Sequence, residues 1–182
     1  MGAHAEFRVV LCAAGLIVGV CLAARCSSVT LTQSVTAQIA PTAKLAAPAV
    51  VPLVTSGAAF QPFTGTVTLR YRARTAPSGN GTITLQVTSD FSPGGGPLAA
   101  AGALTYVCRG STLGGPCSGR QMAGTGSQSP VLTLPPATCT GRGGACSGSD
   151  PNSMQVNFRL NNDSGTRTGN YSAQITFVIS AI

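Results

Sequence analysis

The side chains of this chain that could do chemistry are few. Beyond residue 26 there are four cysteines (Cys108, Cys117, Cys139 and Cys146), three aspartates (Asp90, Asp150 and Asp163) and a single lysine, Lys44, with no His, Glu or Trp. General acid–base catalysis, activated nucleophiles and most metal centres draw on the missing types. A Ser-x-x-Lys pair would need a serine three residues before Lys44, where Pro41 stands. No glycosidase-like carboxylate motif surrounds any of the aspartates. The inventory points away from an enzyme, and no cofactor or metal is expected.

The four cysteines are an even set. In an oxidising compartment they make two disulfides, with three connectivities open to them. Local pairing, Cys108 with Cys117 and Cys139 with Cys146, is the favoured one, because each pair brackets a Gly/Pro/Ser-rich loop. Loops of that size stabilise by roughly 2 to 3 kcal/mol each. Cys-x8-Cys and Cys-x6-Cys without histidine do not have the close ligand pairs of a zinc site.

Three other sets of residues invite a binding reading. Arg70, Arg72 and Arg74 alternate along one predicted strand, so they share a face at spacings of about 6.5 to 7 Å and could meet an anionic polymer. The plainer reading is a solvated face whose charge discourages edge pairing. Asp150-Pro-Asn152 and Asn161-Asn162-Asp163 place oxygen ligands in loops, which calcium accepts when several converge and which turn capping explains more simply. Asn80-Gly-Thr82, Asn162-Asp-Ser164 and Asn170-Tyr-Ser172 fit the N-glycosylation sequon.

The first 26 residues read as a signal peptide: Arg8 precedes sixteen uncharged residues, Val9 to Ala24, and cleavage is expected between Ala24 and Ser27. A membrane span would want about 20 apolar residues. An uncleaved anchor and a lipoprotein with lipidated Cys26 are the alternatives, the second disfavoured by Arg25 where a small residue should stand. Membrane contact is expected only through this leader, and the location is secreted, periplasmic or cell-surface. Removing Arg8, Arg25 and Glu6 leaves nine Lys and Arg against three Asp, a net charge of +6 on 156 residues. That body is basic but sparsely charged. Nucleic-acid binders carry denser cations and stacking aromatics, so nucleic acid is not an expected partner.

The elements that must position these residues are strands, because apolar and polar residues alternate with period two wherever the pattern is regular. Strands are expected over Val29–Ile39, Thr66–Arg74, Ile83–Val87, Leu104–Cys108, Val131–Leu134, Met154–Leu160 and Tyr171–Ile179, with a broken edge strand over Pro48–Val54. Ala-Pro-Ser-Gly-Asn between the second and third of these predicts a hairpin. Ser92–Gly102 and Gly110–Ser129 read as Gly-rich surface loops. The pattern points to an all-β, antiparallel immunoglobulin-like sandwich of seven to eight strands, with a barrel as the alternative. The expected division is a leader at 1–26, an N-terminal extension or first strand at 27–46 and a β-sandwich domain at 47–182.

At the C-terminus, Gly169-Asn-Tyr171-Ser172-Ala-Gln-Ile175-Thr176-Phe-Val-Ile179-Ser180 resembles the closing strand of spore coat protein U-like and archaic chaperone-usher pilin domains. Ser28 to Ala46 is similar to the extended segment that follows the leader in that family. The chain departs from the family at Ala173, where an acidic residue is usual, at Ala181-Ile182, where an aromatic is customary, and in having no Cys after the first strand. The resemblance implies an incomplete sandwich that accepts a strand from a neighbouring subunit. Val29, Leu31, Val35, Ala37 and Ile39 would then be the donor residues. The expected function is an exported, non-catalytic structural or adhesive cell-surface subunit, partnered by copies of itself or related subunits. The alternative is a monomeric secreted module that binds a glycan or anionic surface polymer, with surface polysaccharide as an expected partner.

Overall fold

A computed structural model of the chain describes residues 33–57, 59–139 and 152–182. The leader, Val29 and Leu31 of the expected donor segment, Cys146 and Asp150 lie outside the described residues. The described residues hold nine strands: β1 (Thr42–Ala46), β2 (Phe63–Arg74), β3 (Gly81–Ser92), β4 (Leu104–Arg109), β5 (Gly115–Pro116), β6 (Arg120–Met122), β7 (Ser129–Leu134), β8 (Asn152–Leu160) and β9 (Ser172–Ala181). They form two antiparallel sheets, one ordered β1-β2-β8-β4-β6 and the other β5-β7-β3-β9. The compact unit that holds them runs from Ala40 to Ile182, and Thr42–Ala46 is its first strand.

Alternation builds the core. Val67, Leu69, Tyr71 and Ala73 of β2 point inward with Met154, Val156, Phe158 and Leu160 of β8 and Leu104, Tyr106 and Cys108 of β4. Ile83, Leu85 and Val87 of β3 and Val131, Leu132 and Leu134 of β7 form the other wall. The register of β3 against β7 skips a residue between Ile83–Leu132 and Thr84–Pro130, a bulge that lets adjacent Val131 and Leu132 both be buried. Tyr106 crosses the core: its hydroxyl donates to the Pro130 carbonyl at 2.8 Å, its ring centroid lies 6.0 Å from that of Phe158, and burial pushes its phenol up to about 12.

Three expectations are corrected. Strands β2 and β3 do not form a hairpin but belong to different sheets. Residues 75–80 arch between the layers, held where Thr75 Oγ1 donates to the Pro135 carbonyl at 3.0 Å and accepts from Thr138 N at 2.8 Å. Period-two patterning is the same in a hairpin and an arch, and the arch sets Leu69 and Tyr71 on the opposite wall of one core from Ile83 and Leu85. The expected strand Val29–Ile39 is not a strand over its described part, residues 33–39, where Val35 is 91% and Ile39 72% exposed. Alternation defines a face, but a strand also needs a hydrogen-bonded neighbour. Gly110–Ser129 is not a simple loop, since it holds β5 and β6 and adds one short strand to each sheet.

The broken apolar run Pro48–Val54 does lie along β2, pairing once at Val54–Thr64. It passes directly over Gly65, where a Cβ would stand 2.7 Å from Leu53 Cδ2 and from the Pro52 carbonyl. That close approach requires glycine.

Candidate functional site

A sandwich of two open sheets has four edge strands, and here they are unequal. β5 is two residues long and contains Pro116, and β6 is three residues long and begins with Arg120. β1 is five residues long with Lys44 at its centre, between Pro41 and Pro48. Shortness, proline and charge are the usual means of blunting an edge. β9 uses none of them. It runs ten residues, Ser-Ala-Gln-Ile-Thr-Phe-Val-Ile-Ser-Ala, without a charge, a proline or a glycine, and among the described residues it pairs on one side only, with β3.

The inward side chains of β9 are also incompletely covered. Ala173, Ile175, Phe177 and Ile179 share the face that packs against the core, yet all four are only partly buried. Their partners across the ladder are fully enclosed: Phe177 stands opposite Leu85, which is 0% exposed, and Ile175 opposite Val87 at 1%. Strand β1 approaches β9 across this side of the sandwich, and its own inward residues, Ala43 and Leu45, are partly buried as well. Along this side the apolar residues of β1 and β9 are thus only partly covered, and among the described residues β9 has no ladder partner on its outer edge. A further extended segment laid along β9 would take up the backbone groups and cover the four side chains.

The opposite side is closed. The Cys108–Cys117 disulfide, with Cα atoms 5.4 Å apart, joins β4 of one sheet to the turn after β5 of the other. Cys117 N donates to the Val131 carbonyl at 2.9 Å, and Gly114, at φ +85°, lies so close to β7 that a Cβ would fall 2.7 Å from the Thr133 carbonyl. Residues 123–128 carry the chain from β6 to β7, with Val87 N donating to the Gly124 carbonyl and Gln86 Nε2 to that of Thr125, each at 3.1 Å. Cys139 is also disulfide-bonded. The expected pairing of Cys139 with Cys146 lies outside the described residues.

The remaining sequence candidates fall elsewhere. Arg70, Arg72 and Arg74 share the outer face of β2, as their spacing predicted, and Lys44 of β1 stands in register with Arg72. Asp163 accepts from Gly165 N at 2.9 Å through Oδ1 and caps a turn, while buried Asn152 accepts from Thr112 Oγ1 at 3.4 Å. No cluster of potential metal ligands occurs among the described residues. Of the sequon residues, Asn80 and Asn170 are exposed and Asn162 is partly buried. Asp90 accepts from three backbone N–H groups, Phe91 and Ala99 at 2.8 Å and Ala100 at 3.1 Å, which fastens the segment after β3.

Sequence reasoning identified β9 as a strand and its inward residues as one face, but missed that this face is the uncovered one. The usable signal is the charge-free, proline-free composition of Ser172–Ala181, set against Lys44, Pro116 and Arg120 on the other edges. Compared with protein-family models, with curated proteins and with solved structures, the chain matches none.

Proposed function

We propose that this chain is an exported, non-catalytic structural or adhesive subunit of the cell surface that assembles by strand addition, an extended segment of one copy pairing with β9 of another. The observation that carries the reading is β9 itself, a ten-residue uncharged edge strand whose inward Ala173, Ile175, Phe177 and Ile179 stay partly exposed. The donor we assign is the alternating segment Val29 to Ile39, whose described part is unpaired and exposes Val35 and Ile39. Backbone pairing supplies affinity in this mode, and alternate side chains packed against β9 supply specificity. The resemblance of Gly169–Ser180 to the closing strand of pilin-type domains agrees with it.

Light scattering on the exported chain, with and without residues Ser27–Ala40, tests the proposal. Oligomers or fibres are expected from the complete chain and monomers from the deletion, with a synthetic Ser27–Ala40 peptide raising the Tm of the deleted form. Val178→Lys places a charge on the outward face of β9, where Val178 is 40% exposed, and is expected to prevent assembly while leaving the core intact. A compact monomer from the complete chain, indifferent to the peptide, would overturn the reading.

A further inference from the structure

The cations of this chain are not scattered over its surface. Of the nine Lys and Arg after residue 26, seven lie on the outer face of the five-stranded sheet. Lys44 comes from β1 and Arg70, Arg72 and Arg74 from β2. Arg109 of β4, Arg120 of β6 and Arg159 of β8 complete the set. Neither Asp90, which caps the segment after β3, nor Asp163, in the turn before β9, is on that face.

The register turns these residues into a band. Arg74 pairs with Thr42 at one corner, and Lys44 with Arg72 just below. Thr68 pairs with Gln155, which pairs with Arg109, and Thr66 pairs with Asn157, which pairs with Val107 and through it with Arg120. Arg159 pairs with Thr64, so Arg109, Arg120 and Arg159 stand level with Thr68, Thr66 and Thr64, all further along the sheet than Arg70, Arg72 and Arg74, and the positive charges run obliquely across the face. From standard strand spacings the band is roughly 30 Å long.

At the β6 end the band meets a shallow depression of about 600 Å³, lined among others by Thr64, Thr66, Arg120, Asn157 and Arg159. Thr66 Oγ1 donates to Asn157 Oδ1 at 3.1 Å, which fixes the amide with its NH2 directed away from that bond. Arg120 is held by a bond from Nη1 to Thr105 Oγ1 at 3.2 Å. Val54 and Val107 supply apolar wall. Two guanidiniums, an oriented amide and two hydroxyls around an apolar floor match a sugar ring that carries a carboxylate.

We propose that the outer face of the β1-β2-β8-β4-β6 sheet binds a linear acidic polysaccharide bearing carboxylates, seated in the Arg120–Arg159 depression and running along the diagonal of cations. The partner class follows from chemistry. Between the cations the face presents Thr66, Thr68, Thr105, Ser153 and Gln155, hydroxyl and amide groups suited to a polymer that is itself rich in hydroxyls. A nucleic acid would bring a denser charge, about one per 1.7 Å of duplex, and single strands would want stacking aromatics, whereas Tyr71, Tyr106 and Phe158 all point into the core. This inference names a partner for the Arg70–Arg74 ladder and does not depend on strand addition at β9.

The test is binding of the full exported chain to polygalacturonate immobilised on a sensor surface, with neutral dextran and duplex DNA as comparison surfaces. Polygalacturonate is expected to bind with an affinity that falls linearly on a log–log plot against salt, and dextran not at all. Arg120→Gln with Arg159→Gln is expected to weaken binding at least tenfold, and Arg70→Gln with Arg74→Gln several-fold. Arg167→Gln, in the turn before β9 and off the face, should change nothing. All five positions but Arg120 and Arg159 lie outside the depression, so the two double variants separate the seat from the band, and an unchanged Tm shows that each variant is folded. Equal loss in Arg167→Gln, no loss in either double variant, or tighter binding to DNA than to polygalacturonate would overturn the proposal.

Discussion

The two lateral sides of this sandwich are finished differently. On the β5/β6 side the edge strands are two and three residues long, a disulfide joins the sheets, and residues 123–128 carry the chain from one layer to the other. On the β1/β9 side the strands approach one another while six inward apolar residues, Ala43, Leu45, Ala173, Ile175, Phe177 and Ile179, remain partly buried. One side stabilises the domain alone. The other has the apolar residues of a core and the edge of a sheet with only partial cover over both, the feature on which the proposed strand addition rests.

The sharpest way to break this comparison is to cut equivalent side chains on the two sides of one ladder position. Leu85 and Phe177 are paired across β3 and β9, the first 0% exposed and the second partly buried. Leu85→Ala is expected to cost about 3 to 4 kcal/mol in chemical denaturation of the monomer, whereas Phe177→Ala should cost only about 1 to 2, below the range for a fully enclosed phenylalanine. Under the proposed strand addition, assembled material should show the order reversed or closed, because an added strand would bury the phenylalanine. Equal costs in the monomer would mean that the β9 side is already as closed as the other.

The disulfide gives the next largest effect. Cys108→Ser with Cys117→Ser opens a loop spanning nine positions, and the loss expected in equilibrium unfolding is about 2 to 3 kcal/mol. Its location makes a further distinction. The bond lies on the side away from β9, so the double variant should lose stability while keeping its capacity to take up the Ser27–Ala40 peptide. A loss of peptide uptake as large as that caused by Val178→Lys would show that the two sides are coupled.

How far the sequence led can be seen in individual strands. The inward sets Val67-Leu69-Tyr71-Ala73 and Met154-Val156-Phe158-Leu160 were legible because alternation reports directly on which side of a strand is buried. What alternation does not carry is the identity of the neighbour. It could not distinguish an arch from a hairpin between β2 and β3, nor show that residues 33–39 would be unpaired despite their pattern. The candidate site divides in the same way. Arg70, Arg72 and Arg74 were visible as a ladder within one strand, but the diagonal with Arg109, Arg120 and Arg159 exists only through interstrand register, which depends on contacts far apart in the chain. Edge status was likewise hidden, since an edge is defined by the absence of a second neighbour. Gly110–Ser129 was read as a loop because β5 and β6 are too short to show any period at all.

Gly65 provides a smaller perturbation of the open side. Residues 51–54 cross it on their way along β2, and Val51 and Leu53 pack against the core there. Gly65→Ala would press a methyl group to within 2.7 Å of Leu53 Cδ2 and the Pro52 carbonyl, displacing that segment at a cost of about 1 to 2 kcal/mol. Hydrogen exchange should show the change at the Val54 and Thr64 amides, which donate to one another's carbonyls at 2.8 and 2.7 Å. The amides of β4 and β6 should be unaffected.

The smallest expected effect is a pH dependence, and its sign follows from the surroundings of Asp90. Burial works to raise the pKa of this carboxyl, but the N–H groups of Ala99, Ala100 and Phe91 all donate to it, and the balance holds it below the ordinary aspartate value of 3.8. A carboxyl whose pKa is lower folded than unfolded contributes stability that is fully present above the unfolded value and is lost as the pH falls through the folded one. Acidification below 3.8 should therefore loosen the segment from Phe91 to Ala101 first, where the carboxylate holds both the start and the short turn at Ala99–Ala101. The measurement is an NMR titration of the Ala99 and Ala100 amides, whose shifts should move together with one midpoint below 3.8, and Asp90→Asn should abolish that transition. Because β9 ends its ladder with β3 at Ser92–Ser172, next to this segment, the same titration reports whether the start of the open edge is set by Asp90. Coincident movement of the Ser172 amide would place the carboxylate among the groups that hold the start of β9. Independent behaviour would leave the open edge to the β3 ladder alone.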